Sequence, residues 1–188
     1  MGQLAPKLDL HLLGTSDLSR EQVDYYLLGY LNSSIYNEML NMVNPTVSYP
    51  IDSVGKVPYI DIEEKHSIER LSKENTEIAL LDWNDFETSW DFVNHPFIKF
   101  TSKSETNKIA VVYDKLKKIQ IEGITKVTQN EEMINKIFSA SLGIEYSESI
   151  SMLENNIMLH KVDLQRDARS FISYAVGCIF GRYSLDVD

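Results

Sequence analysis

The chain has 188 residues, enough for one domain or two small ones, and at 43% hydrophobic it can bury a real core. Ten tyrosines, seven phenylalanines and two tryptophans exclude wholesale disorder. A net charge of -10 argues against a protein that coats nucleic acid by cationic neutralisation, and one cysteine, Cys178, excludes an intrachain disulfide framework or a cysteine zinc site.

The opening stretch, Met1 to Gly14, lacks the basic start and continuous apolar region of a secretory signal. Ala5-Pro6 is a poor context for myristoylation at Gly2. No apolar run reaches the roughly 18–20 residues of a membrane helix. The expectation is a cytoplasmic chain without membrane contact, in a reducing compartment.

Ser19 to Val43 reads as a helix. Ser19 with Gln22 forms a capping-box pattern, and Val23, Tyr26, Leu27, Tyr30, Leu31, Ile35, Met39 and Leu40 recur at helical spacing. Asn44-Pro45-Thr46 ends it. Val47 to Ile62, with Pro50, Gly55 and Pro58, reads as extended, with one or two short strands; Val57 to Ile60 is the better candidate. Glu63 to Leu81 returns to helix, with Ile68, Leu71, Ile78 and Leu81 on one face.

Trp83 to Phe92, "WNDFETSWDF", is dense in aromatics and acids, and His95-Pro96 then breaks the pattern. Glu105 to Phe138 reads as one long helix or two in sequence, with Gly123 and Thr125 as the weak point and Gly143 as a cap. Ser147 to Met152 is loop-like, and Ile157 to Val162 is a candidate short strand. Asp163 caps a last helix through about Phe180. The fold expected is mainly α with a few short strands, an α+β fragment whose long helices pack around the C-terminal apolar helix. The clearest organisational break divides residues 1–62, with their helix, Asn-Pro-Thr turn and short strands, from a helical region over 63–188.

Each chemical motif has a plainer competitor. Asn44 to Val47, "NPTV", invites comparison with the Asn-Pro-Pro-Tyr loop of amino-methylating DNA methyltransferases, but Thr46 and Val47 supply neither the second proline nor the stacking ring. A helix-terminating turn explains it. Gly177 to Gly181 is a G-x-x-x-G without the preceding strand or the lysine of a phosphate loop. Ser173, Gly177 and Gly181 instead make a small-residue stripe on a helix apolar nearly all round, the mark of a buried helix.

The Trp83 to Phe92 segment suits an aromatic-acidic cage for a cation, or a carboxylate pair in Asp85 and Glu87. Trp83, Phe86 and Trp90, at i, i+3 and i+7, are better explained as one helical turn of core aromatics. His11, His66, His95 and His160 have no metal-ligand spacing to one another. Lys115, Lys117 and Lys118, with Lys108 and Lys126, could touch a phosphate backbone or simply face solvent. The residues by themselves give no catalytic, cofactor-binding or metal-ligating site.

Three segments, in matching order, resemble one family. Asp85 to Ile98 and Val162 to Asp186, the second containing "SFISYAVGCIFGRYSLD", resemble the C-terminal half of the adenine-specific DNA methyltransferases of BREX phage-defence systems, the PglX family. Leu31 to Ile60 resembles the helix, Asn-Pro-Thr turn and extended stretch of their target-recognition regions. The resemblance covers most of the chain from about Val23 and is weak through Lys99 to His160.

It implies an enzyme that uses S-adenosylmethionine to methylate adenine N6 in a short asymmetric DNA site, marking host DNA and taking part in phage exclusion. The glycine-rich cofactor motif and Asn-Pro-Pro-Tyr of that family are absent here, and both belong upstream of the region resembled. The expectation is an internal, non-catalytic fragment that contributes to DNA target recognition or its helical support. No cofactor site is expected in this chain. DNA contacts, through the full-length protein, fall on Lys56 in the Ser53 to Tyr59 loop or on Lys115, Lys117 and Lys118. The alternatives are a module binding other BREX proteins through the surface at Asp82 to Phe92, and a stand-alone enzyme using the carboxylates there.

Overall fold

The computed structural model describes residues 23–46, 48, 50–101, 108–146 and 157–183. Among the described residues there are seven α-helices and no strand: α1 (Tyr25–Asn32), α2 (Ser34–Val43), α3 (Ile51–Val54), α4 (Lys65–Asn84), α5 (Pro96–Thr101), α6 (Ile109–Leu142) and α7 (Leu164–Ile179). The mainly helical class is therefore as expected, and the short strands at Val57–Ile60 and Ile157–Val162 are not formed. The chain makes two compact units, Met1–Asn75 with Thr128–Asn156, and Thr76–Val127 with Ile157–Asp188.

In the first unit the single helix expected over residues 19–43 is two. Asp24 is the N-cap of α1, accepting from the Leu27 N–H at 2.9 Å. The Ser19–Gln22 capping box lies outside the described residues. The break falls at the buried Ser33, whose hydroxyl donates to the Tyr30 carbonyl at 2.7 Å and accepts from the Tyr36 N–H at 3.1 Å. Serine offers the backbone this alternative to a continuing helix, and as an N-cap it stabilises the new one by about 1 kcal/mol. Asn135 of α6 completes the start of α2, accepting from the Ser34 N–H at 2.9 Å.

Tyr26, Tyr30, Tyr36, Leu40, Ile68, Leu71, Ile134 and Phe138 form the core of this unit. Burying each such side chain contributes about 1.5–3 kcal/mol. α1 and α4 approach closely at Gly29, where a β-carbon would lie 2.8 Å from Ile68 Cγ2. α6 ends in a Schellman motif with Gly143 at φ +66°; the Ile144 N–H donates to the Ser139 carbonyl at 2.9 Å, so the expected cap is there.

The second unit starts differently from expectation. α4 stops at Asn84, so the aromatics at 83, 86 and 90 do not share a helix and Trp90 is 93% exposed. Ser89 shapes the loop instead, donating to Asn84 Oδ1 at 2.6 Å and accepting from the Asp91 N–H at 3.1 Å. His95-Pro96 begins a helix as well as ending a pattern. His95 Nδ1 accepts from the Phe97 N–H at 3.2 Å, and Pro96 takes the first position of α5, where no N–H is needed. Phe97, Val112 and Leu116 form the core here, with Tyr113 and Phe171 against it.

α6 runs unbroken through Gly123, where a β-carbon would meet Ile78 only at 3.4 Å. α7 starts as read: Asp163 accepts from the Gln165 and Arg166 N–H groups at 2.9 and 3.0 Å. It is not the buried centre of the helices. Tyr174 and Asp167 face inward, while Ile172, Val176, Ile179 and Phe180 are exposed. An apolar composition all round does not say which side is covered, and here only one is. Nor do the glycines form a packing stripe. Gly181 lies past the helix end at φ +72° in a second Schellman motif, with the Arg182 N–H donating to the Gly177 carbonyl at 2.9 Å.

Candidate nucleic-acid interface

α1 and α2 carry three tyrosines that hold the segment from Val54 to Ile60 by its carbonyls. Tyr26 Oη donates to the Ile60 carbonyl, Tyr30 Oη to that of Pro58 at 2.5 Å, and Tyr36 Oη to that of Val54 at 3.4 Å. This is why no strand forms there: the acceptors are taken by hydroxyls, and Pro58 has no N–H for a ladder. Burial, and then the neighbouring Tyr59 and Asp61, push the Tyr26 hydroxyl up to about 12. Burial and Tyr36 do the same for Tyr30, so both remain donors at any physiological pH.

The clamped segment leaves Lys56 exposed on the turn after α3, whose own N–H bonds the Ser53 carbonyl at 3.2 Å. Tyr59 is 53% exposed, its ring meeting Tyr26 at 5.8 Å and Tyr30 at 6.3 Å. Lys65 Nζ lies 5.0 Å from the Tyr26 ring centroid.

The three helix lysines are exposed on α6, in the other unit from Lys56. They do not form one patch. Lys115 and Lys118 are three apart and share a face, whereas Lys117 is about 160° round from Lys115 at 3.6 residues per turn. Asp114 sits between these faces. Lys115 also lies 5.7 Å over the Phe100 ring.

The "NPT" turn is fully occupied locally. Asn44 Oδ1 accepts from the Thr46 N–H at 3.2 Å and the Thr46 hydroxyl at 2.7 Å, and its Nδ2 donates to the Ser48 carbonyl at 2.7 Å. An asparagine so engaged cannot also accept from a substrate amino group. Val47 lies outside the described residues.

One pair was not visible in the sequence. His160 Nδ1 bonds Asp82 Oδ2 at 2.8 Å, and the His160 backbone N–H donates to the same oxygen at 3.1 Å. The ring lies against Phe86 with centroids 3.8 Å apart and the planes tilted by 30°. That arrangement fixes the orientation of the imidazole. It also spends the backbone donor that a strand over Ile157–Val162 would need. The partners are 78 residues apart, so no local spacing could signal them. Of the other histidines, His66 bonds Glu69 on the surface at 2.9 Å, His95 is buried, and His11 lies outside the described residues.

The acidic candidates are likewise engaged in structure. Asp85 pairs with Lys99 at 3.1 Å; burial pushes its carboxyl up and the lysine partly offsets that. Glu87 Oε2 accepts from the Ser173 hydroxyl at 3.2 Å. Among the described residues no group of three metal-donor side chains gathers, and no helix is long and apolar enough to cross a membrane.

No protein-family model matches the chain. It is 28% identical over 164 residues to the adenine-specific methyltransferase PglX of Lacticaseibacillus casei (strain Zhang). It is 30% identical over 177 residues to the adenine-specific methyltransferase BrxX of Escherichia coli O9:H4 (strain HS). Each match covers 86% of this chain, and the chain spans only 13% and 14% of the length of these two relatives.

Proposed function

We propose, from this chain's kinship with the PglX family of adenine-specific methyltransferases of BREX phage defence, that it serves DNA target recognition rather than methyl transfer. The observation that carries this reading is the clamp: three tyrosine hydroxyls fix the segment from Val54 to Ile60 and leave Lys56 and Tyr59 outward. Residues 1–62 supply the recognition surface and 63–188 its helical support, with Lys115 and Lys118 as a second phosphate contact.

S-adenosylmethionine, which methyl transfer in that family requires, does not fit the residues here. Among the described residues there is no strand to lead into a glycine-rich turn, and the Asn44 amide is consumed by its own turn. No step of methyl transfer is assigned to this chain.

Duplex DNA titration at varied salt tests the reading. Binding should weaken as salt rises, and Lys56→Ala should reduce the log–log slope by about 1. Lys115→Ala with Lys118→Ala should act in the same way, while Lys117→Ala leaves the slope unchanged. Absence of binding at low salt overturns the reading.

A further inference from the structure

We propose that the outward face of α7 is a self-association surface, packing antiparallel against the same face of a second copy of this chain. Asp167 and Tyr174 face inward, and the opposite side of the helix is bare. Ile172, Val176, Ile179 and Phe180 are between 45% and 84% exposed there.

The bare side has the spacing of a helix seam. Gln165, Ala168, Ile172, Ala175 and Ile179 alternate at intervals of three and four, the a and d positions of a coiled coil. Over the last four, alanine alternates with isoleucine, so a large side chain of one helix meets a small one of the other.

Charge selects the occupant and the orientation. Asp163 is taken by the N-cap and Asp167 is buried with Arg166, so Arg169 is the one exposed charge on α7. A parallel pair sets the two copies of Arg169 side by side. An antiparallel pair centred beside Ala175 keeps them about 16 Å apart along the axis. Each then lies opposite Phe180 of the second copy, an exposed ring for a guanidinium to cover. The net charge of -10 does not oppose this contact, because acids and bases nearly balance over Thr76–Val127 and Ile157–Asp188 and the excess of acids belongs to the first unit. A lipid surface calls for basic side chains along the edges of such a face, and α7 offers Arg169 alone.

Size sets the strength. With 16 residues the face is about 24 Å long and 10–12 Å across. That falls short of the roughly 800 Å² per partner of a standard interface, so the dimer belongs to the weak, reversible class. Dimerisation is independent of the proposed contact with DNA, and each is read by its own measurement, so either can fail alone.

Sedimentation equilibrium of the full chain tests the proposal. It should show a monomer–dimer equilibrium with a Kd of about 1–100 μM that does not weaken as salt rises. Val176→Glu, at an exposed position, should weaken it at least about tenfold with helical content unchanged. Ala175→Leu adds apolar surface, which strengthens a merely sticky patch, but where two alanines meet it should weaken the dimer. Orientation is read by oxidation in a Cys178→Ser background. Ala175→Cys should cross-link to its own copy, while Gln165→Cys, about 28 Å from its counterpart along the axis, should not. A chain that stays monomeric up to about 0.5 mM overturns the proposal and leaves the face to a different polypeptide. Tighter association of Ala175→Leu, or equal cross-linking of the two cysteine variants, overturns the packed antiparallel seam. Retention of a monomer on vesicles of phosphatidylglycerol and phosphatidylcholine overturns it in favour of a lipid surface.

Discussion

The ring of Tyr183 lies against the backbone of Gly177, where a β-carbon would come within 2.7 Å of two of its carbons. The helix can therefore carry no side chain at that point while the ring stays in place. Gly177→Ala should cost about 1–3 kcal/mol in urea denaturation, the usual effect of forcing a methyl into a packed site. In a Tyr183→Ala background the same substitution should cost almost nothing, and the double-mutant cycle reads the difference.

The hydroxyl clamp in the first unit makes a graded prediction. Tyr30→Phe leaves the Pro58 carbonyl without its donor and should destabilise by about 1–3 kcal/mol. Tyr36→Phe breaks a bond of 3.4 Å, at the edge of useful length, and should cost under about 0.5 kcal/mol. Hydrogen exchange should speed up in Val54–Ile60 for the first variant and stay near wild type for the second.

Acid stability depends on His95, which is 3% exposed among Phe97, Phe171 and Tyr174 and whose pKa burial lowers from 6.5 to about 4. The unfolded chain binds the proton at higher pH than the folded one. The stabilisation is complete above about 6.5 and is lost as pH falls from there through about 4. His95→Asn keeps an acceptor for the Phe97 N–H and does not titrate. Thermal melts across this window should fall for the wild type and stay flatter for the variant.

At the alkaline end the sign reverses. Tyr26, Tyr30 and Tyr174 are pushed up to about 12, in each case chiefly by burial. Folding favours their neutral form, so this stability is present below about 10 and disappears as pH rises through about 12. Ultraviolet titration of tyrosinate should show these three ionising last, together with the loss of helical circular dichroism.

The residues differ in how plainly they announced their places. α4, the Asp163 cap and the Gly143 terminus were legible because each rests on contacts within a turn or two of chain. The split at Ser33 was not, although its own bonds to Tyr30 and Tyr36 are local, because the apolar spacing runs on through it and part of its support comes from Asn135, 101 residues from Ser34. The extended character of Val57–Ile60 was read correctly, but its β-branched and aromatic residues suggested a ladder when their carbonyls belong to tyrosines on helices. His160 and Asp82 gave no signal at all. Of the candidate site, the exposure of Lys56 was legible, and helical spacing alone would have set Lys117 apart from Lys115 and Lys118.

Tyr26, Tyr30 and Tyr36 grip main-chain oxygens, and every amino acid has one. The outward side chains of the strap they hold carry no part of that grip. Lys56 and its exposed neighbours can be exchanged for other residues while the strap stays where it is, so a protein built this way can change the side chains it presents without rebuilding the scaffold that holds them.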